Sequence, residues 1–339
     1  MNLDCARMYN SPRLIKKYIL AIQRGHGNYI QLHLTDNQRF GIENETIGQT
    51  LQNAYKKGDI YYNKDTHKAF LSKQQLVDIV RYGMRHHVEV VPEIDVPGHS
   101  KAMLKLLAQT PKYKKEIKSL MSFDDEMYYQ KPATLKIAKQ IIGEYTSLVP
   151  KGNYISTGGD EIAINTHKDD LAIVKFDNAL NRFLNQRGLK MAIWNDSIRK
   201  AVLNQYDKNI LINFWSLSGQ TADTEDYNAN IKYRATLPEI NKAGLKTINC
   251  NDYFTYIIAD PTSYGKHNMQ EWEDDLKKWK PTMWNEDSYK DKTTSKNNIG
   301  TSISIWGESP KAYNAKQVYQ KTIVYVNKFF KHLHTVKYI

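Results

Sequence analysis

Asn153-Tyr154-Ile155-Ser156-Thr157-Gly158-Gly159-Asp160-Glu161 is a short run of strand formers that passes through two glycines into two adjacent carboxylates. A strand that delivers polar groups at its C-terminal end follows the building rule of a (β/α)8 barrel, where all strand ends converge on one rim. Seven other segments share this plan. Asn2–Met8, Asn28–Leu34, Val88–Ile94, Leu189–Trp194, Ile210–Trp215, Leu245–Asn251 and Thr301–Trp306 are each rich in β-branched, aromatic or aliphatic residues. At or just past their ends stand Arg7, Asp36, Asp95 with His99, Trp194 with Asp196, Trp215, the Tyr253–Tyr256 segment, and Trp306 with Glu308. One such residue means little. Eight strand ends in phase predict a single pocket.

Helical patterns separate the strands. Ser11-Pro12 is an N-cap followed by proline in the first turn, with Leu14, Tyr18 and Ile22 recurring four apart. Ser72 and Gln75 form a capping box ahead of Leu76, Ile79 and Val80. Leu171 to Gln186 is helical by period, and Gly188 closes it. The last helix carries Val318, Ile323, Val326 and Phe329–Phe330. Such alternation also suits an open doubly wound sheet. No glycine-rich phosphate fingerprint follows the first strand, which removes the main support for that rival. Two connections, Gln38–Leu71 and Asp260–Asn298, are long, and both follow strand C-terminal ends, where barrel loops build the active face. With no repeat, low-complexity tract or linker, the expectation is one α/β domain over residues 1–339, a TIM barrel with long βα-loop insertions.

The 339 residues are 41% apolar and 25% charged, a balance that suits a globular chain with a sizeable core. No apolar run reaches the roughly 20 residues that span a bilayer. The first residues already read as a strand, so no signal peptide is visible, and a trimmed natural leader is expected. Cys5 and Cys250 are too few for a disulfide scaffold and lack metal-ligand spacing; buried thiols are expected. The net charge of +12 favours anionic surroundings, yet the lysines are dispersed and no nucleic-acid motif accompanies them. A solvated basic surface, with no nucleic-acid partner, is the reading.

Two carboxylates side by side cannot both ionise freely in a confined site, because like charge raises one proton affinity. Glycoside hydrolysis needs that asymmetry: one group donates a proton to the leaving oxygen while another stays charged beside the developing cation. Trp194, Trp215 and Trp306 at strand ends supply flat walls on which the C–H faces of a sugar pack.

At this point the motifs resemble a family. Asp4-Cys5-Ala6-Arg7, His33-Leu34-Thr35-Asp36, Pro92-Glu93-Ile94-Asp95-Val96-Pro97-Gly98-His99, Gly158-Gly159-Asp160-Glu161, Trp194-Asn195-Asp196 and Trp306-Gly307-Glu308 are similar, in order and spacing, to family 20 β-N-acetylhexosaminidases. The likeness is greatest to single-domain members that hydrolyse biofilm matrix. It implies retaining, substrate-assisted hydrolysis, in which the 2-acetamido oxygen of the substrate attacks the anomeric carbon. By resemblance Asp160 orients the acetamido nitrogen and Glu161 is the general acid and then base, with Asp36 and His99 as its supporting relay. Arg7, Asp223 and Glu308 match positions that hold sugar hydroxyls, and the three tryptophans match the walls around the acetamido group. The implied substrate is β-1,6-linked poly-N-acetylglucosamine, the implied location extracellular, and the expected state a monomer needing no metal or organic cofactor.

Two positions depart from the family pattern. Ser156 stands where histidine is common. Phe254 falls where a tyrosine donates to the acetamido carbonyl, unless a one- or two-residue shift brings Tyr253 or Tyr256 there. Loss of such a donor costs on the order of 2–4 kcal/mol of barrier. A glycan-binding barrel without turnover is therefore the alternative from another class. A chitinase-like hydrolase is disfavoured, since Asn153–Glu161 lacks the Asp-x-x-Asp-x-Asp-x-Glu spacing.

Overall fold

A computed structural model describes residues 1–123, 125–258, 269–308 and 313–336. In chain order the strands are β1 (Asn2–Asp4), β2 (Tyr29–His33), β3 (Ala54–Lys57), β4 (Ile60–Asn63), β5 (Ala69–Phe70), β6 (Glu89–Glu93), β7 (Tyr154–Ser156), β8 (Lys190–Trp194), β9 (Leu211–Phe214), β10 (Lys246–Asn249), β11 (Tyr256–Ile258), β12 (Asn298–Thr301) and β13 (Ser304–Trp306). The main sheet is parallel, in the order β11-β13-β1-β2-β6-β7-β8-β9-β10-β12.

All eight expected strands form, and the last of them closes the ring in two pieces. β12 pairs with β10, whereas β13, two residues later, pairs with β1. Between them Ser302 N–H donates to the Asn249 carbonyl (3.0 Å) and Asn2 N–H donates to the Ile303 carbonyl (2.8 Å). The result is a TIM-barrel α/β fold. The first strand is shorter than its apolar pattern suggests, and the cause is local: Asp4 Oδ1 accepts from the N–H groups of Ala6 (2.9 Å) and Arg7 (2.8 Å), turning the chain out of the sheet.

The helix signals act as expected. Ser11 Oγ accepts from Leu14 N at the head of Pro12–Arg24, and both bonds of the Ser72–Gln75 capping box are present at Lys73–Arg85. The helix anticipated from Leu171 begins earlier, at His167, because Thr166 and Asp169 form a further capping box. Alternation fails once. Between β8 and β9 there is no α-helix, only the 3-10 turns Asn195–Ser197 and Lys200–Gln205. The first long connection folds its own antiparallel sheet, β3-β4-β5. The second includes helix Met269–Lys278, and its residues 259–268 lie outside the described part. Cys5 and Cys250 are buried free thiols. No helix among the described residues is long and apolar enough to cross a membrane.

Candidate active site

Parallel strands in register put one set of side chains inside the barrel, and here that set is polar near the catalytic rim. Asp4, His33, Glu93 and Ser156 stand on neighbouring strands at matching register. His33 Nδ1 meets Glu93 Oε1 at 2.5 Å and His33 Nε2 meets Asp36 Oδ2 at 3.0 Å. Glu93, fully buried, also accepts from Ser156 Oγ (2.6 Å) and Gln31 Nε2 (2.5 Å). Burial alone lowers the proton affinity of His33, but Asp36 and Glu93 outweigh it and raise it well above the ordinary value. Ser156 thus occupies the position that departs from the family pattern by completing a buried network.

Asp36 is the junction to the pocket. Its Oδ2 takes a 2.9 Å ion pair from Arg7 and lies 3.8 Å from His99 Nδ1. Burial pushes its carboxyl up, yet the His33 hydrogen bond and the charges of His33, Arg7 and His99 prevail and hold it at about 2. Arg7 is fixed on its other side by Asp4 (3.3 Å), lies 5.5 Å over the ring of Trp306, and feels the charge of Glu308. Asp4 Oδ2 in turn accepts from Gly307 N–H (3.0 Å), tying the first strand end to the last.

On the opposite side of His99, its Nε2 lies 3.4 Å from Asp160 Oδ2 and 3.3 Å from Glu161 Oε2. Burial works against the imidazolium, but these two carboxylates raise the His99 proton affinity well above normal. Burial likewise works against the Asp160 anion, and the charge and hydrogen bond of His99 with the charge of His33 hold it well below the usual range. Glu161 differs: its side chain is 56% exposed, open to a leaving group. The glycines make this possible. Gly158 has φ +65, and a Cβ there would sit 2.1 Å from Asp95 Oδ1; Gly159 N–H donates to that same oxygen at 2.8 Å. Asp95, His99 and Asp160 each bring one ligand-type atom within 4.8 Å of the others. Burial and then the Asp160 charge raise the Asp95 carboxyl well above normal.

The facing wall is aromatic. Trp215 and Tyr256 stack with centroids 6.1 Å apart, Tyr256 meets Trp306 edge-on at 5.6 Å, and Trp306 lies 6.1 Å from Trp194. The Trp194-Asn195-Asp196 motif holds this wall in place. Asn195 Oδ1 accepts from Trp215 N–H (2.8 Å), its amide donates to the Ser216 carbonyl (2.8 Å), and Asp196 Oδ2 accepts the Trp215 indole N–H (2.7 Å). The indole N–H groups of Trp194 and Trp306 are buried and have no hydrogen-bond partner among the described residues.

Local folding sends Tyr253, Phe254 and Tyr256 to different surroundings. Asn251 caps a one-turn helix, Asp252–Thr255, which turns Phe254 into the core against Trp279 and Tyr289. Tyr253 is directed to Asp275 (3.5 Å). Tyr256, the first residue of β11, is the one that reaches the aromatic box. Asp223 is not brought to the cluster. It is exposed, and its Oδ1 caps helix Thr224–Tyr233 by accepting from Glu225 N (2.9 Å) and Asp226 N (3.0 Å), so its carboxylate is engaged in a turn of the rim. Conversely, His33, Glu93 and Asn195 belong to the site although the sequence motifs that contain them assign them no role; inward parity along β2 and β6 is the signal that marks the first two.

Known proteins agree with this construction. The solved structure of Dispersin B superposes with a TM-score of 0.90, at 30% identity, covering 98% of both chains. Beta-hexosaminidase subunit A2 of Dictyostelium discoideum is 23% identical over 332 residues, which are 92% of this chain and 54% of that protein. This chain therefore spans little more than half the length of that relative. A Streptomyces plicatus beta-hexosaminidase shares the fold, with a TM-score of 0.67 at 20% identity over 99% of this chain and 64% of that one. The model of the glycosyl hydrolase family 20 catalytic domain matches residues 1–325, and the chain belongs to that family.

Proposed function

We propose that the protein is a retaining β-N-acetylhexosaminidase that removes β-linked N-acetylglucosamine by substrate-assisted catalysis. The observation that carries this reading is the pairing across one pocket of an ionised, imidazole-held Asp160 and exposed Glu161 with an aromatic box of Trp194, Trp215, Tyr256 and Trp306. The box suits a methyl-bearing amide. Asp160, kept as an anion, accepts the acetamido N–H and steers the carbonyl oxygen to the anomeric carbon, while the Tyr256 hydroxyl donates to that carbonyl. Glu161 protonates the leaving oxygen and then deprotonates the attacking water. Arg7 and Glu308 hold sugar hydroxyls.

The substrate in this reading is β-1,6-linked poly-N-acetylglucosamine of a biofilm matrix, cleaved outside the cell by a monomer. The likeness to Dispersin B supports this choice. Tyr256 in the box removes the main argument for a binding barrel without turnover. Hydrolysis of a chromogenic N-acetyl-β-glucosaminide is the direct test: Glu161→Gln is expected to lower kcat by about 10²-fold or more. Unmutated protein that binds the sugar without cleaving it sinks the proposal. Product profiles on β-1,6 and β-1,4 oligomers then decide the linkage.

A further inference from the structure

Glu161 sits on a segment without regular structure and has a positive φ of 51°. A side chain so placed needs support from outside its own chain run. Among the described residues, the two hydrogen bonds that reach the main chain between Asp160 and Ile164 both go to Ala163. Its N–H donates to Glu126 Oε2 at 2.8 Å, and its carbonyl accepts from the Tyr129 hydroxyl at 2.8 Å. Both partners are buried, Glu126 at 5% exposure and Tyr129 at 4%.

The origin of this clamp is as telling as its target. Glu126 and Tyr129 lie on the lobe that follows β6, the same connection that carries His99. That lobe is tied to the His99 turn by Ser100 N–H to the Asp125 carbonyl (2.7 Å) and Met127 N–H to the Pro97 carbonyl (2.9 Å). Asn37 joins them further, donating to Asp125 Oδ2 (3.2 Å) and lying 3.5 Å from His99 Nδ1. Gly98 completes the contact, since a Cβ there would stand 2.8 Å from the Asp160 carbonyl oxygen. The imidazole beside Glu161 and the two groups that hold Ala163 thus stand on one connection that is tied to itself by hydrogen bonds.

Resting on the assignment of Glu161 as general acid, the geometry points to Glu126 and Tyr129 as positioning residues, which aim Glu161 at the leaving oxygen by gripping both polar atoms of Ala163. They touch no substrate. Burial, with the nearby Asp125 charge, raises the Glu126 carboxyl to about 7 even though the Ala163 N–H favours its anion. A buried carboxyl used in this way is costly to keep, which argues for a task beyond packing.

Leaving-group dependence separates aim from mere stability. Expulsion of 2,4-dinitrophenolate needs little proton donation, whereas expulsion of phenolate depends on it. Glu126→Ala and Tyr129→Phe are expected to lower kcat/KM on phenyl N-acetyl-β-glucosaminide about tenfold or more, and on the dinitrophenyl substrate by less than about threefold. Glu126→Gln, whose amide oxygen still accepts the Ala163 N–H, restores most of the loss. The milder Glu126→Gln and Tyr129→Phe guard against misfolding, and thermal melts report it. Equal losses on both substrates, or none, overturn the clamp. Glu161→Gln run alongside is the reference: if it too loses equally on both, the acid assignment itself fails; if it discriminates and the Glu126 and Tyr129 variants do not, only the clamp fails.

Discussion

Tyr256 and Phe254 carry opposite duties two positions apart. Phe254 is 1% exposed among rings, so a hydroxyl added there is buried in the core rather than offered to a sugar. Phe254→Tyr is accordingly expected to give no gain in kcat and a lower melting temperature. Tyr256→Phe removes the donor that holds the acetamido carbonyl oxygen in line with the anomeric carbon and is expected to lower kcat by about 10²-fold. Activity rising in the first variant, or unaffected in the second, contradicts the assignment. Asp36 offers a test by pH. Its folded-state value of about 2 lies below the ordinary 3.8, so its stabilisation is present above the ordinary value and is lost as pH falls through about 2. A gap of that size corresponds to about 2 kcal/mol. Urea midpoints from pH 5 to pH 2 should therefore fall less steeply in Asp36→Asn than in the unmutated protein; parallel slopes contradict this.

At the scale of elements, the turn after β7 is where sequence and geometry constrain each other most. Gly158 combines a left-handed φ with a backbone pressed on Asp95, so Gly158→Ala imposes both strain and overlap. The expected cost is about 2 kcal/mol or more, a drop of roughly 3 °C or more in Tm, with activity lost because Asp160 is displaced. Calorimetry and turnover measured together check it. The strand positions were legible because short β-rich runs ended in polar or aromatic residues eight times. The Asp252–Thr255 turn was not legible: four residues and an asparagine cap carry too weak a signal, and they alone decide which tyrosine faces the box. The capping role of Asp223 was hidden for a related reason, since an aspartate at a helix start and an aspartate at a sugar site look alike without coordinates. The motifs name His33 and Glu93, and Ser156 stands out as a departure, but their shared network is not legible in them; period-two alternation places all three inward, where a polar side chain requires a partner.

Across the whole molecule, side chains from position 7 to position 306 gather on one rim because eight parallel strands end there. Long connections hold the other half of the design: the lobe after β6 grips the acid-bearing segment, and the missing helix between β8 and β9 leaves room for the Asn195 and Asp196 contacts that brace Trp215.

The divided last strand acts as the clasp of a bracelet. Its leading half fastens to one neighbour and its trailing half to the other, with Ser302 and Ile303 between them. A protease nick at that junction would leave each half on its own neighbour but sever the covalent link that makes the circle, so new termini engineered there would open it. A cut in the β3-β4-β5 flap would leave the circle fastened.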